Sequence, residues 1–152
     1  MRLSRLKALL PIVALATACH ETTGPKDPSF YSLESFNNQP LPAFINAGGG
    51  DTTTLFSATL LLDGAAHASL VAHSLEVHPS LPPRDAIDTA RYSYRAVGDS
   101  IAFDFLTTCP VDAICEGPPY GKSTSTTLTL FFPGSPGSRP VYLYRLITSD
   151  PH

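Results

Sequence analysis

Three small groups of residues could do chemistry in this chain: the thiol of Cys19, the pair Cys109 and Cys115, and the set His73, Glu76 and His78. The pair sits in Cys-Pro-Val-Asp-Ala-Ile-Cys, and in an oxidising compartment two cysteines this close read as a disulfide. Closing so short a loop contributes roughly 2–2.5 kcal/mol on the chain-entropy account. Two sharper readings stay open beside it. A metal pair would need more His or Cys close by to complete a tetrahedral shell. A redox pair usually has two residues between its cysteines, and this one has five.

On a strand, Glu76 and His78 share a face while His73 points the other way, so only a bulge would unite three ligands. The plain reading is polar decoration of a strand end. Asp85, Asp88, Asp99 and Asp112 fall in turns or loops, where Asp commonly bonds local backbone. Ser4-x-x-Lys7 matches a serine–lysine pattern by spacing, but it stands in the leader described next. Gly134-Ser-Pro-Gly137 lacks the spacing of a nucleophile elbow, and neither glycine cluster fits a phosphate loop. No residue reads as catalytic and none as a metal ligand. The expectation is a protein without a cofactor and not an enzyme.

Cys19 differs from the other cysteines in what precedes it. Arg2, Arg5 and Lys7 form a positive segment, Ala8 to Ala18 is an almost unbroken apolar run, and small residues lead straight into the thiol. This is the layout of a secretory signal with its cleavage site. Ala16-Thr17-Ala18-Cys19 resembles the lipobox of bacterial lipoproteins, with Leu15 one place earlier than the family usually has it. The resemblance implies cleavage before Cys19, acylation of its sulfur (palmitate-type chains) and of its amine, and a lipid anchor. His20 stands where Asp would imply retention at the inner membrane, so the implied place is the outer membrane, facing the periplasm or the cell surface. A plain secretory signal and a membrane-spanning anchor are the alternatives. The second is short of length: an 11-residue helix spans roughly 16 Å, against a hydrocarbon core of about 30 Å.

Three of the ten basic residues and none of the thirteen acidic ones lie in residues 1–18, so the chain beyond is clearly acidic. That excludes nucleic acid as a natural partner, since phosphate recognition needs a basic surface. The remaining length suffices for one domain with a real core. Charged residues are sparse, while Thr, Ser, Pro and aromatics are plentiful, a balance that favours strands. Fifteen prolines would interrupt long helices. The organisation expected is therefore a signal helix over 1–18, a flexible tether over 19–29, and one β domain over 30–149.

Eight strands are expected: Phe30–Phe36, Pro42–Asn46, Thr52–Leu62, His67–Val77, Thr89–Val97, Ser100–Thr107, Ser123–Phe132 and Val141–Thr148. Asp63-Gly64 suits a type I′ hairpin turn and Gly98-Asp99 a type II′ turn. Alternation puts Phe56, Ala58, Leu60 and Leu62 on one face, as it does Ile101, Phe103 and Phe105. Leu128, Leu130 and Phe132 face in, and Tyr92 and Tyr94 lie opposite Arg91, Ser93 and Arg95. In the last strand, Val141, Leu143 and Ile147 compete with Tyr142, Tyr144 and Leu146 for the core. Such strands close into an all-β, antiparallel up-and-down barrel or, alternatively, stack as a β-sandwich. The tight turns share one end. The connections at 48–50, 79–88 and 108–122 share the other, with 133–140 as the exception.

Tyr31-Ser-Leu-Glu-Ser, then Asn38-Gln-Pro-Leu-Pro42, a glycine loop and a long strand resemble the opening of small lipocalin-like bacterial lipoproteins, many without an assigned function. The resemblance implies a ligand-capable β-barrel. Phe56, Leu60, Tyr92, Tyr94, Phe103, Phe105, Leu130 and Phe132 are the candidates to line its interior, either around a small apolar ligand or filling it outright. The functional expectation is an envelope binding module for such a ligand or for a protein partner. The alternative is a structural or interaction lipoprotein with a packed interior, and a hydrolase or metal-dependent enzyme ranks last.

Overall fold

The computed structural model describes residues 27–106, 117–133 and 139–147. Cys19, Cys109 and Cys115 lie outside them, as do the signal segment and most of the tether. Ten strands run in order: β1 (Ser29–Phe36), β2 (Gln39–Pro40), β3 (Ala43–Gly48), β4 (Asp51–Leu62), β5 (His67–Val77), β6 (Arg84–Val97), β7 (Ser100–Phe105), β8 (Tyr120–Ser123), β9 (Thr127–Phe131) and β10 (Val141–Ile147). Every neighbour is antiparallel. The sheet runs from β1 through β10, β9, β8, β7, β6 and β5 to β4, and β4 returns to β1 through Ser29↔Leu62, Phe30↔Leu61, Tyr31↔Leu60 and Ser32↔Thr59. The result is a closed eight-stranded, lipocalin-like barrel, not a sandwich. Closure removes the edge that an open sheet of this composition would expose.

Two strands lie outside the barrel count. Beyond Ser32, β1 parts from β4, and the gap is occupied by β2 on β1 and β3 on the upper half of β4. The segment expected as the second barrel strand, Pro42–Asn46, is thus an accessory strand. Its place in the barrel is taken by β8, all but its last residue within the stretch 108–122 expected as a long connection. The reason is legible afterwards. The β8–β9 turn carries neither Gly nor Asn; the Thr124 hydroxyl closes it, accepting from the backbone N–H of Thr126 and Thr127 at 3.3 and 3.0 Å. A hydroxyl can bond local backbone in this way without any glycine signal. The additional hairpin also places the β9–β10 connection at the long-loop end, so 133–140 is no exception. Finally, β6 starts at Arg84, five residues earlier than expected, because its first half pairs β5 through Glu76↔Arg84 to Leu70↔Ala90.

The two predicted turns fared differently. Gly98 takes φ 61 at the first corner of a two-residue turn, as a II′ turn requires. The 63–66 connection is wider than two residues: Asp63 N–H donates to the His67 carbonyl at 3.0 Å, and Ala66 joins Gly64 at positive φ. Asn37 and Asn38 both hold positive φ, and Asn37 Oδ1 accepts from Val141 N–H at 2.8 Å, tying the end of β1 to the start of β10.

One contiguous core fills the barrel: Tyr31, Leu33, Leu60, Leu62, Tyr92, Tyr94, Ile101, Phe103, Leu128, Leu130 and Tyr144 are among its buried members. The last strand resolves in favour of Tyr142, Tyr144 and Leu146, all in or against that core. Phe56 corrects the alternation. A bulge between Leu55 and Ser57 shifts the register by one residue, so Leu55 points in and Phe56 is 39 % exposed on the outer wall. Phe105 closes β7 at the strand end and is 41 % exposed, although its ring lies 5.3 Å from Tyr92.

Candidate functional site

Among the described residues, three places come into question for a ligand: the barrel interior, its outer wall and the long-loop rim. The interior is set by five of the six tyrosines. Tyr31, Tyr92, Tyr94 and Tyr144 are buried, and Tyr142 packs against them. Tyr92 meets Phe103 edge-on at 5.7 Å, and Tyr142 stacks towards Tyr144 at 6.4 Å and meets Phe132 at a tilt at 4.6 Å. Burial raises the pKa of Tyr31, Tyr92 and Tyr94 above the ordinary phenol value, with Asp63 adding repulsion at Tyr94. Tyr144 is raised furthest, by burial first and then by its neighbours Tyr142 and Tyr92. Its hydroxyl has no hydrogen-bond partner among the described residues. With Leu128, Leu130, Leu60 and Leu62 at or near zero exposure beside it, the middle of the barrel is packed.

The wall hollow spans β6 to β9, about 340 Å³, and is mainly apolar: Val97, Ala102, Tyr120 and Phe131 form it, with Arg95 and Lys122 at its margins. Tyr120 and Phe131 stack at 5.6 Å. Gly121 lies under this hollow and faces inward, and a Cβ there would overlap the Thr129 carbonyl. The glycine is what lets β8 approach β9 so closely.

The rim hollow, about 330 Å³, lies where β4, β5 and β6 reach the long-loop end. Its polar members are Asp51, Thr52, Thr53, Glu76, His78 and Arg84, and its apolar ones Val77, Leu81 and Pro82. His78 Nε2 stands 3.3 Å from Asp51 Oδ1, an oxygen sealed from solvent, without an aligned hydrogen bond between them. The other ring nitrogen of His78 lies 3.0 Å from the Ser80 hydroxyl. Arg84 and Glu76 face each other at 4.0 Å. Among the described residues of the rim hollow, Asp51 thus faces His78 and Glu76 faces Arg84.

His73 leaves this group, as the strand alternation requires. It stands on the outer wall, Nε2 2.8 Å from Asp85 Oδ1, under the Phe56 ring at 5.3 Å. Among the described residues, no three of His, Cys, Asp and Glu converge as a metal site would need. Of the interior candidates, Leu60, Tyr92, Tyr94, Phe103 and Leu130 meet in one buried cluster, and Phe132 packs at its margin. Phe56 and Phe105 do not join it. Alternation alone missed Leu55 and Tyr31 as interior residues and left Tyr144 undecided; the Tyr31-x-Leu33 and Tyr142-x-Tyr144-x-Leu146 patterns are the signals for the last two. No protein-family model matches the chain, and neither the curated proteins nor the solved structures yield a match.

Proposed function

We propose that this chain is an envelope lipoprotein held to the outer membrane by acylated Cys19, whose barrel is a rigid scaffold for binding a protein partner rather than a container for a small ligand. The observation that carries this reading is the packed centre: Tyr144 and Leu128 at 0 %, with Leu60, Leu62 and Leu130 at 1 %. An eight-stranded barrel either holds one small ligand or fills with side chains, and these side chains occupy its middle. The apolar surface the domain does expose is outside. Phe44 on β3 is 58 % exposed, Leu81 beside the rim hollow 64 % and Ile87 on β6 72 %. A rigid sheet presenting apolar side chains beside polar, ion-paired loops is a usual setting for partner recognition.

The test uses protein purified from its host membrane. Native mass spectrometry is expected to show acyl chains and no further small molecule. A partner retained by the wild type is expected to be lost in Leu81→Asp and Ile87→Asp, both at exposed sites that leave the core intact. A stoichiometric small molecule released on unfolding would overturn the packed-scaffold reading. A second reading, a carrier of a small apolar ligand, draws support from the wall hollow at Tyr120 and Phe131; there Phe131→Asp would release the molecule while Ile87→Asp would not.

A further inference from the structure

The end of the barrel from which the N-terminal tether leaves carries an apolar patch of its own. Phe30, the second residue of β1, is paired on one side with Leu61 and on the other with Ile147. All three side chains point outward, because their neighbours Tyr31, Leu60, Leu62 and Leu146 are the ones turned to the core. Phe30 is 45 % exposed, Ile147 49 %, and Leu61 is half-buried between β1 and β5. The flanking outward positions are Ser32, Thr59 and Ser69, so little charge need be desolvated to cover the patch. The nearest charges along these strands are Asp63, two residues beyond Leu61 and capped by the Ala65 and His67 N–H groups, and Arg145, two residues before Ile147 and bonded to Glu34 at 2.8 Å.

We infer that this patch rests on the lipid surface, so that the barrel stands on its tight-turn end with the long-loop rim facing away from the membrane. The inference builds on the lipid-anchor reading of Cys19. Ten residues, Cys19 to Pro28, separate that thiol from Ser29, which pairs with Leu62 at the base of the barrel. Ten residues of chain reach at most about 35 Å. The patch is therefore held within a few nanometres of the bilayer, at an effective concentration in the millimolar range, where a few apolar side chains suffice to keep it docked. Val71 and Val97, also exposed toward this end, stand on β5 and β6, farther round the barrel from β1. Ile87 stands ten residues up β6 from the 98–99 turn, about 33 Å along the strand.

The chain contains no tryptophan, so single-tryptophan reporters are clean. Lipidated full-length Phe30→Trp and Ile147→Trp proteins, each a reporter in the patch, are compared with Ile87→Trp after reconstitution into phosphatidylethanolamine–phosphatidylglycerol vesicles containing brominated lipid. Docking predicts quenching of both patch reporters at least about threefold stronger than that of Ile87→Trp, with a blue-shifted emission. Co-sedimentation with vesicles but equal or absent quenching at all three positions would overturn the docking and leave the anchor standing. Failure to co-sediment would remove the anchor and the docking together. A blue shift that appears without vesicles and grows with protein concentration would assign the patch to a second copy of the chain and overturn the inference.

Discussion

Replacing Tyr144 by Phe removes one oxygen from the middle of the barrel and leaves the ring that fills it. The hydroxyl is buried at 0 % residue exposure and has no hydrogen-bond partner among the described residues. Burying a hydroxyl without a partner costs roughly 1–3 kcal/mol on mutational scales. The void left by its removal is on the order of 10 Å³, which at about 24 cal/mol per Å³ returns only some 0.2 kcal/mol to the cost side. The net expectation is a protein more stable by about 1–2 kcal/mol. With an unfolding entropy near 2.1 cal/mol/K per residue over roughly 120 residues, that raises the melting temperature by about 4–8 °C. Urea unfolding followed by far-UV circular dichroism should show a higher midpoint with an unchanged slope, which separates a true stability gain from a change in the unfolded chain. A destabilised Tyr144→Phe would refute the reasoning: the hydroxyl would then be bonded to something inside the barrel, and the packed-scaffold reading would fail with it.

Three further outcomes follow from the same geometry. Gly121→Ala should destabilise by about 1–3 kcal/mol in the same unfolding assay, since the added methyl meets backbone that cannot swing aside as a side chain would; a neutral result would mean β8 does not lie against β9 as described. Leu55→Ala should cost about 2–4 kcal/mol while Phe56→Ser costs well under 1, the reverse of what strict alternation through 56–62 implies. In an alkaline absorbance titration, Tyr31, Tyr92, Tyr94 and Tyr144 should ionise late. Their folded pKa values lie above the unfolded value of 10.0, so the stability they share is intact below that pH and declines as pH rises through the folded values. Ionisation of these four in advance of the loss of near-UV circular dichroism would contradict their burial.

The β class, the closed barrel and most of its inward positions could be read from the chain because they rest on local signals. Period-2 alternation, the Gly98-Asp99 turn and the run of Thr, Tyr and Phe are properties of a few neighbouring residues, and the pleat converts them directly into faces. The apolar run before Cys19 and the small residues leading into it are local as well, but they carry only the proposal of a lipid anchor and no part of the fold. The misplaced features depended on partners distant in sequence. Whether Pro42–Asn46 or Tyr120–Ser123 completes the barrel is decided by which of them finds two strands to pair with, and only β8, between β7 and β9, does. The bulge that turns Phe56 outward exists because β4 must bring Leu55 into the core opposite Ser74 and Ala58 opposite Ala72, one residue out of step with uninterrupted alternation. The choice of Tyr142, Tyr144 and Leu146 over Val141, Leu143 and Ile147 is of the same kind. Both sets are apolar enough to be buried, and it is the register with β1 and β9, on either side, that assigns one set to the interior and leaves Ile147 outside beside Phe30.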